Sequence, residues 1–191
     1  MEDSVPFASR EYFIFLAILV GARGTDFLST WIATPRLVLE GNPIAQWLGW
    51  KWGAVVNVIL VIALAMWPLS AIVLSTASVL VAARNFQSAW LMRSMGEDAY
   101  RDWYVQRLSE TRITLYLSCL AGNTLLTIAV GAAVIFFSAT RDFVLVVPTG
   151  IGMGIIAYGV AVIVFTLLSV WRSCRRRRYD AASSLNDHTI T

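Results

Sequence analysis

The sequence predicts an all-α polytopic membrane protein, a bundle of about five transmembrane helices with one amphipathic helix at the membrane surface. Hydrophobic residues make up 58% of the 191 residues and charged residues only 14%, and the mean hydropathy is +0.67. A soluble domain of this length cannot bury so much apolar surface, so lipid is predicted to be the main solvent of the folded chain.

Five apolar runs are long enough to cross about 30 Å of hydrocarbon as helices. They predict spans at residues 11–34, 43–67, 69–93, 113–139 and 149–171. The second and third runs join without a polar loop, so the turn between them is placed at Trp67-Pro68, because proline breaks a helix. The third span has a seam of small and polar residues that predicts a packing face, namely Ala71, Ser75, Ser78, Ala82, Asn85 and Ala89. The fifth span opens with Gly150-x-x-x-Gly154, which permits close approach of another helix.

Two further segments differ in kind from the spans. Residues 97–111 repeat aromatic residues at helical spacing among charged residues, which is typical of an amphipathic helix in the membrane interface. Residues 1–172 are predicted to form a single bundle, followed by a basic and then polar tail at residues 173–191. The arginines Arg175–Arg178 of that tail are expected to attract anionic lipid headgroups.

The positions of the basic residues predict the orientation of the bundle. With the N-terminus outside and the C-terminus in the cytoplasm, the inner segments carry eleven lysines and arginines and the outer segments carry two. The positive-inside rule therefore favours this arrangement. The remaining two basic residues, Arg23 and Arg84, fall within predicted spans.

The first span carries polar side chains at a depth where lipid is expected. An ionisable residue inside a bilayer is costly, and it is normally paired or functional. Asp26 and Thr30 lie four residues apart on one helix face, and Arg23 lies close by. Arg84 and Asn85 of the third span fall at nearly the depth of Asp26, so an ion pair of Asp26 with Arg84 or with Arg23 is predicted. The alternative is a purely structural role, in which Arg23 and Asp26 neutralise each other and only hold helices together.

The connection between the first two spans carries further polar residues. Asn42-Pro43 predicts an N-cap followed by the first helical residue, and Glu40 could accept free helix N–H groups or hold a cation. Asn57 is the strongly polar side chain deeper in the second span. The candidate ligand-binding residues are therefore Asp26, Thr30, Arg84, Arg23, Glu40, Asn42, Asn57 and Asn85.

The order Asp26-x-x-x-Thr30, then Glu40-x-Asn42-Pro43, then an apolar helix, resembles an uncharacterised prokaryotic family of small integral membrane proteins, a domain of unknown function. The resemblance covers residues 24–61, that is, the first two spans. It implies a multi-pass protein of the prokaryotic plasma membrane and brings no known activity with it. Members of that family often carry a lysine within the second span, where this chain has Asn57.

Several classes of active site lack their residues in this sequence. His188, near the C-terminus, is the one histidine, so Ser-His and Cys-His nucleophile arrangements within the membrane are not expected. The two cysteines, Cys119 and Cys174, have no metal-ligand spacing, and neither a metal nor another cofactor is expected.

The leading functional hypothesis is binding or translocation of a small solute or ion at the polar layer, with Asp26 as the ionic centre and Glu40 as a cytoplasmic entry carboxylate. One alternative is an accessory or scaffold subunit of a membrane complex, whose polar residues only hold helices or a partner together. Another alternative is an intramembrane lipid-handling enzyme that uses Asp26 and Glu40. The expected partners are the lipid bilayer and a second copy or partner subunit, and no nucleic acid is expected.

Overall fold

A computed structural model describes residues 4–138 and 146–188, and their side chains as far as residue 172. Six helices, and no strand, make up the regular structure of these residues. They are α1 (Arg10–Ala33), α2 (Pro43–Leu64), α3 (Pro68–Met95), α4 (Glu97–Glu110), α5 (Ile113–Ser138) and α6 (Val146–His188). The all-α prediction is confirmed.

Five of the helices are long and apolar enough to cross a membrane, as the sequence predicted. These segments are Arg10–Ala33, Pro43–Leu64, Pro68–Met95, Ile113–Ser138 and Val146–Arg172. The remaining helix, α4, occupies the segment predicted to be amphipathic.

The largest departure from the predicted bounds is in α6. It begins at Val146 rather than at residue 149, because Pro148 fits within the first turn, where its missing N–H costs no helical hydrogen bond. At its other end the helix runs on through His188 into the segment predicted as a tail. The arginine side chains at 175–178 lie outside the described residues.

Local signals in the sequence explain where the first helices begin. The Ser9 hydroxyl accepts a hydrogen bond from the Tyr12 N–H (3.1 Å) and caps α1. Asn42 Oδ1 accepts from the Ile44 N–H (3.0 Å), which confirms Asn42 as the N-cap of α2. Gly49, at φ 63°, kinks α2 near its start, a backbone conformation that glycine adopts without strain.

Helix α3 is the centre of the bundle. Helices α1 and α6 pack on α3, α5 packs on α6, and α2 contacts both α1 and α3 less extensively. The predicted small-residue seam of α3 is confirmed as a packing face, since five of its members are buried: Ala71, Ser75, Ser78, Ala82 and Ala89. Helix α4 contacts α3 and α5, the helices that precede and follow it in the chain.

Candidate functional site

Arg23 joins three helices through its guanidinium group. Its Nε donates to Asn57 Oδ1 on α2 at 2.7 Å, and Nη2 donates to the same oxygen. Nη1 donates to Ser78 Oγ on α3 (3.1 Å) and to Asp26 Oδ2 on its own helix (2.8 Å). A guanidinium group offers five N–H donors in a fixed plane, so it can satisfy several acceptors at once. The polar residues of α1 and α2 therefore form one hydrogen-bonded cluster rather than separate sites.

Asp26 forms its ion pair within α1. The Arg23–Asp26 pair has i,i+3 spacing, and the two side chains remain 23% and 14% exposed, respectively. The prediction that an arginine neutralises Asp26 is confirmed for Arg23. Asp26 Oδ1 receives no hydrogen bond from the residues that the structure describes, so half of this carboxylate is open to a further partner.

A second polar contact lies further along α1, toward its C-terminal end. Asn85 Nδ2 on α3 donates to Ser29 Oγ (3.2 Å) and to Thr30 Oγ1 (3.1 Å). Ser29, which is fully buried, donates in turn to the Asp26 carbonyl oxygen (2.8 Å). The structure thus brings Thr30 and Asn85 together beside Asp26, in the polar layer that their depth predicted.

Glu40 approaches this cluster from the connection between α1 and α2. Its Oε1 accepts from the Asn42 N–H at 2.8 Å, and its carbonyl oxygen accepts from Gln46 Nε2 at 2.6 Å. Burial raises the pKa of the Glu40 carboxyl, and backbone hydrogen bonds from Asn42 and Gly41 only partly oppose that rise. The charge of Glu40 acts on Asp26, whereas the hydrogen bonds of Glu40 join it to Asn42 and Gln46. Glu40 therefore adds a second negative charge in the neighbourhood of the Arg23–Asp26 pair.

Of the two arginines predicted as alternative partners of Asp26, Arg84 does not join the cluster. Its side chain is exposed, and no ion pair or hydrogen bond reaches it from the described part of the chain. Successive residues of a helix point about 100° apart. Because Asn85 faces α1, its neighbour Arg84 is turned away from Asp26 although the two lie at similar depth. Similar depth therefore did not decide which of the two arginines pairs with Asp26.

Glu97, the first residue of α4, is a buried carboxylate that the sequence analysis did not single out. Its Oε2 accepts from Thr34 Oγ1 (2.6 Å) and from the Val38 N–H (3.2 Å). Its Oε1 accepts from the Arg36 N–H (3.0 Å), and the side chain is only 6% exposed. Glu97 thus fixes the start of the connection that carries Glu40. The backbone N–H groups of a connection without regular structure need acceptors nearby. That need is the one signal in the sequence that could have indicated a buried acceptor such as Glu97.

The hydrogen bonds to Glu97 decide its charge state. Burial opposes ionisation, but hydrogen bonds from Thr34, Arg36 and Val38 outweigh it, and the nearby Arg36 guanidinium adds to them. The pKa of Glu97 is therefore held below its ordinary value, and the group is ionised at neutral pH.

The chemistry available at the cluster is the binding of charge by carboxylate, amide and hydroxyl groups. Among residues 4–138 and 146–172, no group of three or more His, Cys, Asp and Glu side chains is arranged to hold a metal ion. No protein-family model matches the chain, and no match to it is found among the curated proteins or the solved structures. The resemblance of Asp26-x-x-x-Thr30 and Glu40-x-Asn42-Pro43 to a membrane-protein family stays a prediction.

Proposed function

We propose that this chain is a multi-pass protein of a prokaryotic plasma membrane, with its N-terminus outside, that binds or translocates a small cationic solute or ion at Asp26. Five long apolar helices support residence in a membrane. The excess of eleven basic residues against two supports the orientation.

The observation that carries the proposal is the oxygen of Asp26 that receives no hydrogen bond from a described residue, together with the charge of Glu40 that acts on the same carboxylate. An isolated Arg23–Asp26 pair is neutral and complete, but Glu40 adds a negative charge that no described cation neutralises at the cluster. Charge in a low-dielectric setting attracts a counter-ion strongly. A small cation held between Asp26 Oδ1 and Glu40 would neutralise the cluster, whereas an anion would be repelled.

A second candidate function, a structural scaffold, is favoured by the contacts of Arg23. The Arg23 guanidinium group bonds to side chains of α1, α2 and α3, so it contributes to holding these helices together. In that case the Arg23–Asp26 pair stabilises the bundle, and ligands have no effect on it.

Thermal unfolding of the detergent-purified protein separates the two candidates. Sodium or potassium chloride is titrated against N-methylglucamine chloride at constant ionic strength. A cation bound to the folded state stabilises it by about 2.7 kcal/mol at a hundred times its dissociation constant. This stabilisation should disappear in Asp26→Asn and persist in the matched control Asp98→Asn, whose carboxylate is 56% exposed. Equal responses of both variants, or no response of the wild type to any cation, would contradict cation binding.

A double-mutant cycle tests the scaffold directly. Removing one partner of a buried ion pair typically costs about 3–5 kcal/mol, because the other charge is stranded. If the pair is only structural, Asp26→Asn should be destabilised, Arg23→Gln should restore part of the loss, and neither variant should alter a cation response.

A further inference from the structure

The contact between Arg23 and Asp26 uses only one oxygen of the carboxylate. Nη1 of Arg23 donates to Asp26 Oδ2 at 2.8 Å, and no second hydrogen bond joins these two described side chains. Guanidinium and carboxylate groups frequently pair through two parallel N–H···O bonds, which engage both carboxylate oxygens. The pair in α1 therefore makes one hydrogen bond where a guanidinium group is able to make two.

Asn57 on α2 engages the edge of the guanidinium group that carries two parallel N–H bonds. Nε and Nη2 of Arg23 both donate to Asn57 Oδ1, with Nε at 2.7 Å from that oxygen. Nη1 donates to the buried Ser78 Oγ on α3 (3.1 Å) as well as to Asp26. These four hydrogen bonds use all but one of the five guanidinium N–H donors. Arg23 therefore cannot turn its Nε–Nη2 edge toward Asp26 without giving up Asn57.

The Asn57 amide is itself held in one orientation. Its Nδ2 donates to the Gly53 carbonyl oxygen in the preceding turn of α2 at 2.7 Å. The hydrogen-bond partners of an amide decide which of its two ends faces which neighbour. Because the donor end is engaged by its own helix, Oδ1 is the end that faces Arg23. The other residues of α2 from Gly53 to Leu64 are apolar, so Asn57 is the side-chain acceptor that this part of α2 supplies.

We infer that Asn57 is a positioning residue that keeps the second oxygen of Asp26 available to a ligand. With Asn57 in place, Arg23 contacts Asp26 through Oδ2 alone, and Oδ1 stays open to a cation. Without Asn57, the Nε–Nη2 edge of Arg23 is free to close on both oxygens, and a cation then has to break a charge-assisted hydrogen bond before it binds. The inference rests on the cation binding proposed for Asp26 and adds to it that α2 controls the availability of that site.

Titration of the full chain in detergent with sodium or potassium chloride, followed by thermal unfolding, tests the positioning role. Asn57→Leu should weaken the cation affinity about tenfold or more, since a hydrogen bond to a charged group has to be broken. Asn57→Asp keeps an acceptor oxygen for Arg23 and should retain the response. The matched control Thr124→Val removes a buried hydroxyl that donates to the Leu120 carbonyl oxygen of its own helix (2.8 Å), and it should leave the affinity unchanged. Loss of the response in Asn57→Asp would overturn the inference, whether or not Asn57→Leu folds.

A second substitution separates positioning from direct binding of the cation by Asn57. Arg23→Lys keeps the positive charge but replaces the planar fork by a single ammonium group, which contacts a carboxylate as a point charge. Combined with Asn57→Leu, Arg23→Lys should therefore restore cation affinity. If Asn57 Oδ1 were itself a ligand of the cation, the lysine would not replace it. A double variant that binds the cation no better than Asn57→Leu would overturn the positioning role.

A measurement without any bound cation distinguishes failure of this inference from failure of the proposed function. Asp26→Asn is introduced into the wild type and into Asn57→Leu, and the melting temperatures are compared in N-methylglucamine chloride. The fall should be larger in the Asn57→Leu background, because a pair joined by two hydrogen bonds is lost there instead of one. Equal falls would overturn the inference even if the wild type binds a cation. A wild type without any cation response refutes the proposed function, while the melting temperatures still decide whether Asn57 directs Arg23.

Discussion

Replacing Glu97 by glutamine should destabilise the connection between α1 and α2, because this buried carboxylate accepts hydrogen bonds from it. The carboxylate uses both oxygens as acceptors, one for Thr34 Oγ1 and the Val38 N–H and the other for the Arg36 N–H. An amide has one acceptor oxygen and a donor NH₂ group. Whichever way the glutamine turns, its NH₂ group faces a donor, and at least one hydrogen bond is lost.

The size of the expected destabilisation follows from the number and type of these hydrogen bonds. A hydrogen bond to a charged group contributes about 1.5–3 kcal/mol, and a buried donor left without an acceptor costs about 1–3 kcal/mol. Glu97→Gln should therefore lower the free energy of unfolding by about 2–4 kcal/mol. The matched control is Asp98→Asn, which removes an exposed ion pair with Arg36 (2.7 Å) and should cost less than about 1 kcal/mol.

Two measurements check this expectation in the same detergent. Chemical unfolding followed by circular dichroism gives the free energies, and limited trypsin digestion reports cleavage after Arg36, which lies in the connection. Glu97→Gln should show both a lower stability and faster cleavage at Arg36, while Asp98→Asn should resemble the wild type. If the two variants unfold alike and are cut alike, Glu97 does not hold the connection and the argument fails.

Three further expectations concern packing, orientation and pH. A Cβ atom added at Gly154 would lie 2.6 Å from Thr76 Cβ, whereas one added at Gly122 would meet nothing within 4 Å. Gly154→Val should therefore lower the free energy of unfolding by about 1–3 kcal/mol, and Gly122→Val should lower it much less. Equal melting temperatures of the two variants would contradict this. In a cysteine-free background, an impermeant thiol reagent should label Ser4→Cys but not Ser183→Cys in intact cells, and the reverse pattern would refute the orientation. Any stabilisation by sodium or potassium should weaken on mild acidification before the structure is lost; a response that is constant down to acid unfolding would exclude a role for a titrating carboxylate.

The helices could be predicted from the sequence because the lengths of the apolar runs and the positions of the prolines are almost sufficient to locate them. Each predicted span has its helix, and the break at Pro68 is confirmed. The end of α6 could not be predicted in the same way. The change from apolar to charged residues after Trp171 marks the end of a span but not of a helix, since arginine is a good helix former.

The candidate site was predictable where spacing within one helix decides the contact. The i,i+3 relation of Arg23 and Asp26 is such a case. The sequence left the partner of Asp26 open between Arg23 and Arg84, because depth gives the height of a side chain in the bilayer but not the direction in which it points. Glu97 was missed for another reason. Two of its partners are the backbone N–H groups of Arg36 and Val38, about sixty residues away, and such groups carry no residue-specific signal.

Glu40 lies in the α1–α2 connection and Glu97 of α4 accepts hydrogen bonds from it. The pKa values of these two carboxyl groups are shifted in opposite directions, so the two groups take up protons in a definite order as the pH falls. Glu97 has a pKa below its ordinary value of 4.5, so the stability it contributes is present above that value and is lost only as the pH falls through the lower, folded-state pKa. Glu40 has a pKa raised by burial, so it takes up a proton at a pH above 4.5, while Glu97 is still ionised. Mild acid therefore removes one negative charge from the cluster around Asp26 while the connection stays folded. If the site binds a cation as proposed, that cation loses part of its electrostatic attraction at this point, and its release should precede unfolding.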